Sequence, residues 1–178
     1  QASRGCRFSC YPCAASFLGG RKFRPRPFDK VAEELDAIDN NRLFVVDNSL
    51  AQDKEWEREL FRMMKPFKKN WCSHTIDDDP EILDLAAQAG AWYVYQAVLD
   101  DSDFIKQRIK RYHDFGIAVE ATVLLGTDNH TEDDILRLID FLLEVNLDLA
   151  EFTVLTPFRH TKVWDDMERD NRIIDRDW

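Results

Sequence analysis

The chain has 178 residues, 44% hydrophobic and 12% aromatic, enough for a single domain over 1–178 with a real core and too apolar for a disordered chain. No apolar run approaches the ~20 residues of a membrane span, and Gln1 to Gly5 is too polar for a secretory signal, so a soluble, cytoplasmic protein is expected. The net charge of −10 divides into +6 over residues 1–30 and −16 over the remainder, which argues against a nucleic-acid binder.

The first feature in chain order is GCRFSCYPCAAS, where Cys6, Cys10 and Cys13 are spaced C-x3-C-x2-C. It lies among Arg4, Arg7, Arg21, Lys22, Arg24, Arg26 and Lys30, a basic patch that suits either an anionic ligand or a solvated loop. From residue 29 the chain alternates two kinds of segment. DKVAEELDAI has Val31, Leu35 and Ile38 on one helical face, and RLFVVDN reads as a buried strand. KEWERELFRMM is a helix followed by the strand NWCSHT; DPEILDLAAQAG starts near Pro80 and stops at Gly90.

AWYVYQAV is the next strand, and its alternating Trp92, Tyr93 and Tyr95 either line a cavity or pack in a core. SDFIKQRIKRYHDFG is a helix with Ser102 as N-cap and Gly116 at its end, and IAVEATVLLG is a strand. TEDDILRLIDFLLEVN opens on a capping box in which Thr131 faces Asp134. LDLAEFTVLTP is the last strand, and beyond Pro157 the chain reads as charged and irregular. With a cysteine-bearing strand in front, this is an α/β chain of about six parallel strands; periodicity alone leaves an open doubly wound sheet and a partial barrel both standing.

Three close thiols without a near fourth leave a coordination position open. A structural zinc would need Cys72 or His74 as its fourth ligand, making the chain a non-catalytic zinc-stabilised binding module. An iron–sulfur cluster on three cysteines would keep one iron free for a substrate or cofactor, whereas a simple electron-transfer ferredoxin would want a fourth cysteine close by. Cys72 by itself reads as a small buried hydrophobe, and Asp77-Asp78-Asp79 as acids favouring the start of the following helix.

C-x3-C-x2-C followed by these strand–helix repeats closely resembles the radical S-adenosylmethionine (SAM) superfamily. GRKFRPRPFDKVAEEL, LFVVDN, EILDLAAQAG, HDFGIAVEATVLLGTDNHTEDDI and LDLAEFTVLTPF resemble its subgroup often fused to a cobalamin-binding domain. The resemblance implies a partial (β/α)6 parallel barrel, here as a catalytic core cut from a longer protein. It implies a 4Fe–4S cluster on Cys6, Cys10 and Cys13 that cleaves SAM reductively to a 5′-deoxyadenosyl radical, for hydrogen abstraction or cobalamin-linked methyl transfer. Its implied partners are an electron donor such as a flavodoxin or ferredoxin, an unknown substrate, and cobalamin carried by a domain outside this chain.

Candidate SAM contacts follow from the same resemblance. Asp47 and Asn48 stand where the family has a glycine-rich segment ending in Glu, and Gln96 where it has a polar residue near the ribose or carboxylate. Glu120 and Thr122 alternate with apolar neighbours, and a buried Glu needs a cofactor or Arg as partner. Leu155 and Thr156 match the adenine-cradling end of the last strand. The family's aromatic residue before the third cysteine is replaced by Pro12, with Tyr11 preceding it.

Overall fold

The computed structural model describes residues 1–177. It contains β1 (Ser3–Arg4), α1 (Ala15–Leu18), β2 (Arg24–Pro25), α2 (Phe28–Ala37), β3 (Arg42–Val45), α3 (Lys54–Met64) and β4 (Asn70–His74). There follow α4 (Pro80–Gln88), β5 (Ala91–Val98), α5 (Asp103–Asp114), β6 (Ala118–Leu125), α6 (Glu132–Glu144), β7 (Leu149–Val154) and α7 (Lys162–Arg169).

Strands β3 to β7 form one parallel sheet in the order β3-β4-β5-β6-β7. Each new strand adds beside the previous one with no reversal. A doubly wound sheet would reverse direction at a switch point, so the sequential order selects barrel-type winding, the alternative that periodicity left open. One expectation changes: β1 does not extend this sheet but pairs antiparallel with β2. The arm carrying the cysteines is therefore a hairpin tied to the sheet by side chains.

The helix-facing sides of the strands make the core. Trp71, Val94, Val119, Ala121 and Val123 are fully buried against Leu60, Phe61, Ile82, Leu83 and Ile109 from α3, α4 and α5. The Phe61 and Trp71 rings stack at 5.3 Å, and the Trp71 indole N–H donates to Ala89 O at 3.0 Å, so its polar atom is satisfied. Burial of side chains this large contributes about 1.5–3 kcal/mol each. Among the described residues no helix is long and apolar enough to cross a membrane.

Helix ends follow the local signals. Ser102 accepts from Ile105 N–H, Asp79 from Glu81 N–H ahead of Pro80, and Thr131 with Asp134 makes both bonds of a capping box. The segment past Pro157 is not irregular throughout: α7 forms because Thr161 caps it at Trp164 N–H while Val163 and Trp164 are buried.

Candidate functional site

The C-terminal ends of the parallel strands are crossed by the hairpin of residues 5–24. Gly5 opens it at φ +82°, and a Cβ there would lie 2.2 Å from Lys22 O, so only glycine fits. Cys6 N–H donates to Gly20 O at 3.0 Å, and the Arg24 guanidinium holds Gly19 O at 2.8 Å and Lys22 O at 3.1 Å.

Two buried side chains fix the hairpin to β3 and the loop after it. The carboxylate of Asp47 accepts from Ala2 N–H, Ser3 N–H and the Ser3 hydroxyl. Gln52 donates from Nε2 to Gly5 O and Ser49 O, each at 3.0 Å, and accepts Arg7 N–H on Oε1 at 2.9 Å. Gln52 thus brackets Cys6 on both sides. Nothing in its local pattern marks it, because its partners lie 45 and 47 residues earlier.

On the far side the hairpin meets the segment after β7. Phe17 stacks on His160 with ring centroids 4.2 Å apart, and the Lys162 ammonium sits 5.7 Å from the Tyr11 ring. The hairpin therefore touches the segments that follow both edge strands of the sheet, β3 and β7.

Cys6 is buried, Cys10 and Cys13 are exposed, and all three are free thiols. Cys13 Sγ accepts Ala15 N–H at 3.4 Å. Partial burial raises the Cys10 pKa, and the neighbouring Cys13 and Cys6 charges raise it further. Three cysteine sulfurs on one hairpin are a soft donor set of the kind that binds iron or zinc once deprotonated. Among the described residues no three His, Cys, Asp or Glu side chains converge tightly enough for a single metal ion. Cys72 lies away from the hairpin in β4, with its thiol directed at Leu43 O at 3.7 Å, and His74 belongs to a ring cluster with Phe44 and Tyr95.

The remaining candidates separate by location. Asn48 lies against Gly19 and borders a groove of about 610 Å³ together with Arg4, Arg24 and Leu18. Leu155 continues the pairing past β7 through its N–H to Leu125 O at 2.8 Å, and Thr156 follows it. Thr122 is half-buried on the strand face opposite the helices. Tyr11 is exposed on the hairpin.

Three further candidates make contacts within the chain itself. Both carboxylate oxygens of Asp47 are engaged by Ala2 and Ser3, which gives it a part in holding the start of the hairpin. Gln96 alternates with Val94 and Val98 and so faces the helices; its Nε2 donates to Ala97 O at 2.8 Å, and its Oε1 is buried without a partner among the described residues. Glu120 finds its partner in the Tyr93 hydroxyl rather than in an arginine. Burial, and then this hydrogen bond, raises the Tyr93 pKa, so the phenol stays a donor.

No protein-family model matches the chain. It is 23% identical to the bacteriochlorophyllide d C-12(1)-methyltransferase of Chlorobaculum tepidum, over 99% of this chain and 43% of that protein. It is 24% identical to the hopanoid C-2 methylase of Rhodopseudomonas palustris, over 99% of this chain and 39% of that protein. The chain thus spans about two fifths of the length of these curated relatives. Among solved structures, the radical S-adenosylmethionine methyltransferase TsrM from Kitasatospora setae, with cobalamin and a 4Fe–4S cluster bound, superposes with a TM-score of 0.85. The match covers 99% of this chain and 40% of TsrM at 14% identity.

Proposed function

We infer that this chain, whose fold is that of a radical SAM core, is the catalytic part of a SAM-dependent radical enzyme that transfers methyl groups. The observation that carries this reading is the placement of three free cysteines on one hairpin at the C-terminal end of a sequentially wound parallel sheet. The curated relatives named as methyltransferases, and the cobalamin bound to TsrM, support methyl transfer with cobalamin carried by a part of the protein beyond this chain.

Cys6, Cys10 and Cys13 hold the 4Fe–4S cluster in this reading, and their open fourth position is taken by SAM. A cluster held there would supply one-electron reduction of the SAM sulfonium, the chemistry that hydrogen abstraction or cobalamin-linked methyl transfer would draw on. The chain's own part is positional. Gln52 and Asp47 hold the hairpin in register, while Arg4, Arg7, Arg21, Lys22 and Arg24 give the segment around the cysteines a positive charge. Asn48, Thr122, Leu155, Thr156 and Tyr11 border the mouth and are assigned to SAM. The electron comes from a one-electron donor of flavodoxin or ferredoxin type, and free thiols beside such a cluster suit a reducing cytoplasm.

Anaerobic reconstitution with iron and sulfide tests this reading. About four irons per chain are expected, lost on replacing Cys6, Cys10 or Cys13 by Ala and retained in Cys72→Ala. One tightly held zinc, or iron uptake indifferent to the three cysteines, would overturn it.

A further inference from the structure

We propose that the sheet face opposite the helices binds, in addition to SAM, a substrate that joins a planar ring to a protonated amine. This rests on the reading that the chemistry takes place over that face. Strand register puts six chemically distinctive side chains there: Phe44 on β3, His74 on β4, Tyr93 and Tyr95 on β5, Glu120 on β6 and Glu151 on β7.

Phe44, His74 and Tyr95 form a near-equilateral triangle, with centroids 5.8, 5.7 and 5.6 Å apart and planes tilted by 41–54°. Tyr93 stands edge-on to Tyr95 at 5.4 Å. These rings are not core. Phe44 is 48% exposed, whereas the stacked Phe61 and Trp71 on the helix side are both at 0%. Aromatic groups held together but open to one side make a surface for a flat ligand, by offset or edge-to-face contact.

The charge beside the rings sets the second half of the ligand. Glu120 is 8% exposed and accepts one hydrogen bond, from Tyr93, and Glu151 stands on the same face in register with Thr122, at an exposed position. Neither carboxylate makes an ion pair among the described residues. The chain has 24 Lys and Arg, yet Arg42, the first residue of β3, is the sole one in the five strands of the sheet. Desolvation lowers the His74 pKa against the pull of Asp47, so the imidazole is no substitute cation. A carboxylate this buried, with one neutral donor, is completed by a cation, and the aromatic faces attract the same charge. An anionic ligand would meet the carboxylate of Glu120 and, at the rim, that of Glu151.

The test uses three probes with one ring: 2-(1-naphthyl)ethylamine, 2-(1-naphthyl)ethanol and 3-(1-naphthyl)propionate. Each is titrated calorimetrically into the reconstituted protein with and without saturating SAM. The amine is expected to bind about tenfold more tightly than the alcohol, with the carboxylate weakest, and to keep its site when SAM is present. Glu151→Gln, at an exposed position, removes most of the amine's advantage, while Phe44→Ala weakens amine and alcohol alike. Equal binding of the three probes, no binding by any, or displacement of the amine by SAM would each overturn the proposal. If the probes discriminate but no cluster assembles, the functional reading fails and the binding face stands. If the cluster and SAM bind but the probes do not discriminate, this inference alone fails.

Discussion

Glu57 of α3 is fully buried, with Oε1 accepting Asp77 N–H at 3.1 Å and Oε2 unpartnered among the described residues. Burial pushes its carboxyl up to about 8; the Asp77 N–H and the Lys54 and Arg108 charges pull it down, and the Asp77 carboxylate pushes it further up. Because the folded-state value lies above the ordinary 4.5, the folded protein holds a proton there that the unfolded chain releases. The stabilisation is complete below pH 4.5 and is lost as pH rises towards about 8. Glu57→Gln keeps an acceptor for Asp77 and carries no proton to lose. It should flatten the pH dependence of urea unfolding across this window and leave the variant more stable at pH 8.5, by on the order of 2 kcal/mol. An unchanged pH slope would show that Glu57 is not the titrating group.

Gln52 is the residue whose loss should separate hairpin order from overall stability. Gln52→Leu keeps its bulk but leaves Gly5 O, Ser49 O and Arg7 N–H without their partner. A stability loss of about 1–3 kcal/mol is expected, with a larger proportional fall in iron retained after gel filtration. Retention equal to that of the native chain would remove Gln52 from the positioning of Cys6. Neither Gln52 nor Asp47 declares this role in the sequence, since each acts across more than forty residues on partners that become neighbours only in the fold.

At the scale of elements, local chemistry was readable and non-local pairing was not. The caps at Ser102, Asp79 and Thr131 join residues two or three apart, so neighbours in sequence are already neighbours in space. Thr131→Ala removes the hydroxyl that accepts Asp134 N–H, leaves the backbone N–H of residue 131 on the Asp134 carboxylate, and should destabilise by about 1 kcal/mol, lowering the thermal midpoint by a few degrees. The antiparallel pairing of β1 with β2 depends instead on contacts that no local period reports, including the hold of Arg24 on two carbonyls. Gln96 was legible in principle. Its alternation with Val94 and Val98 separates it from Tyr93 and Tyr95, and that signal outweighs its position near the strand end.

At the scale of the molecule, sequential winding and the crossing hairpin act together. The sheet presents its strand ends at one mouth, and contacts at both sheet edges hold the cysteines over it. Replacing His160 by Ala removes the Phe17 stack while leaving the β3 side intact. Faster cleavage by trypsin at Arg21 and Lys22 is expected, with little change in global unfolding, because the contact is exposed and local. Cleavage at the native rate would mean that the β3 side alone holds the hairpin. The cysteine spacing already carried the site's chemistry. The contact of Phe17 with His160 did not show in the sequence, because it joins residues more than a hundred positions apart.

The central claim is that the three cysteines leave a coordination position for SAM. Electron paramagnetic resonance of the anaerobically reconstituted and reduced protein, recorded with and without SAM, tests it most directly. A reduced-cluster signal whose shape changes when SAM is added is the predicted result. A signal that SAM leaves unaltered would contradict the account.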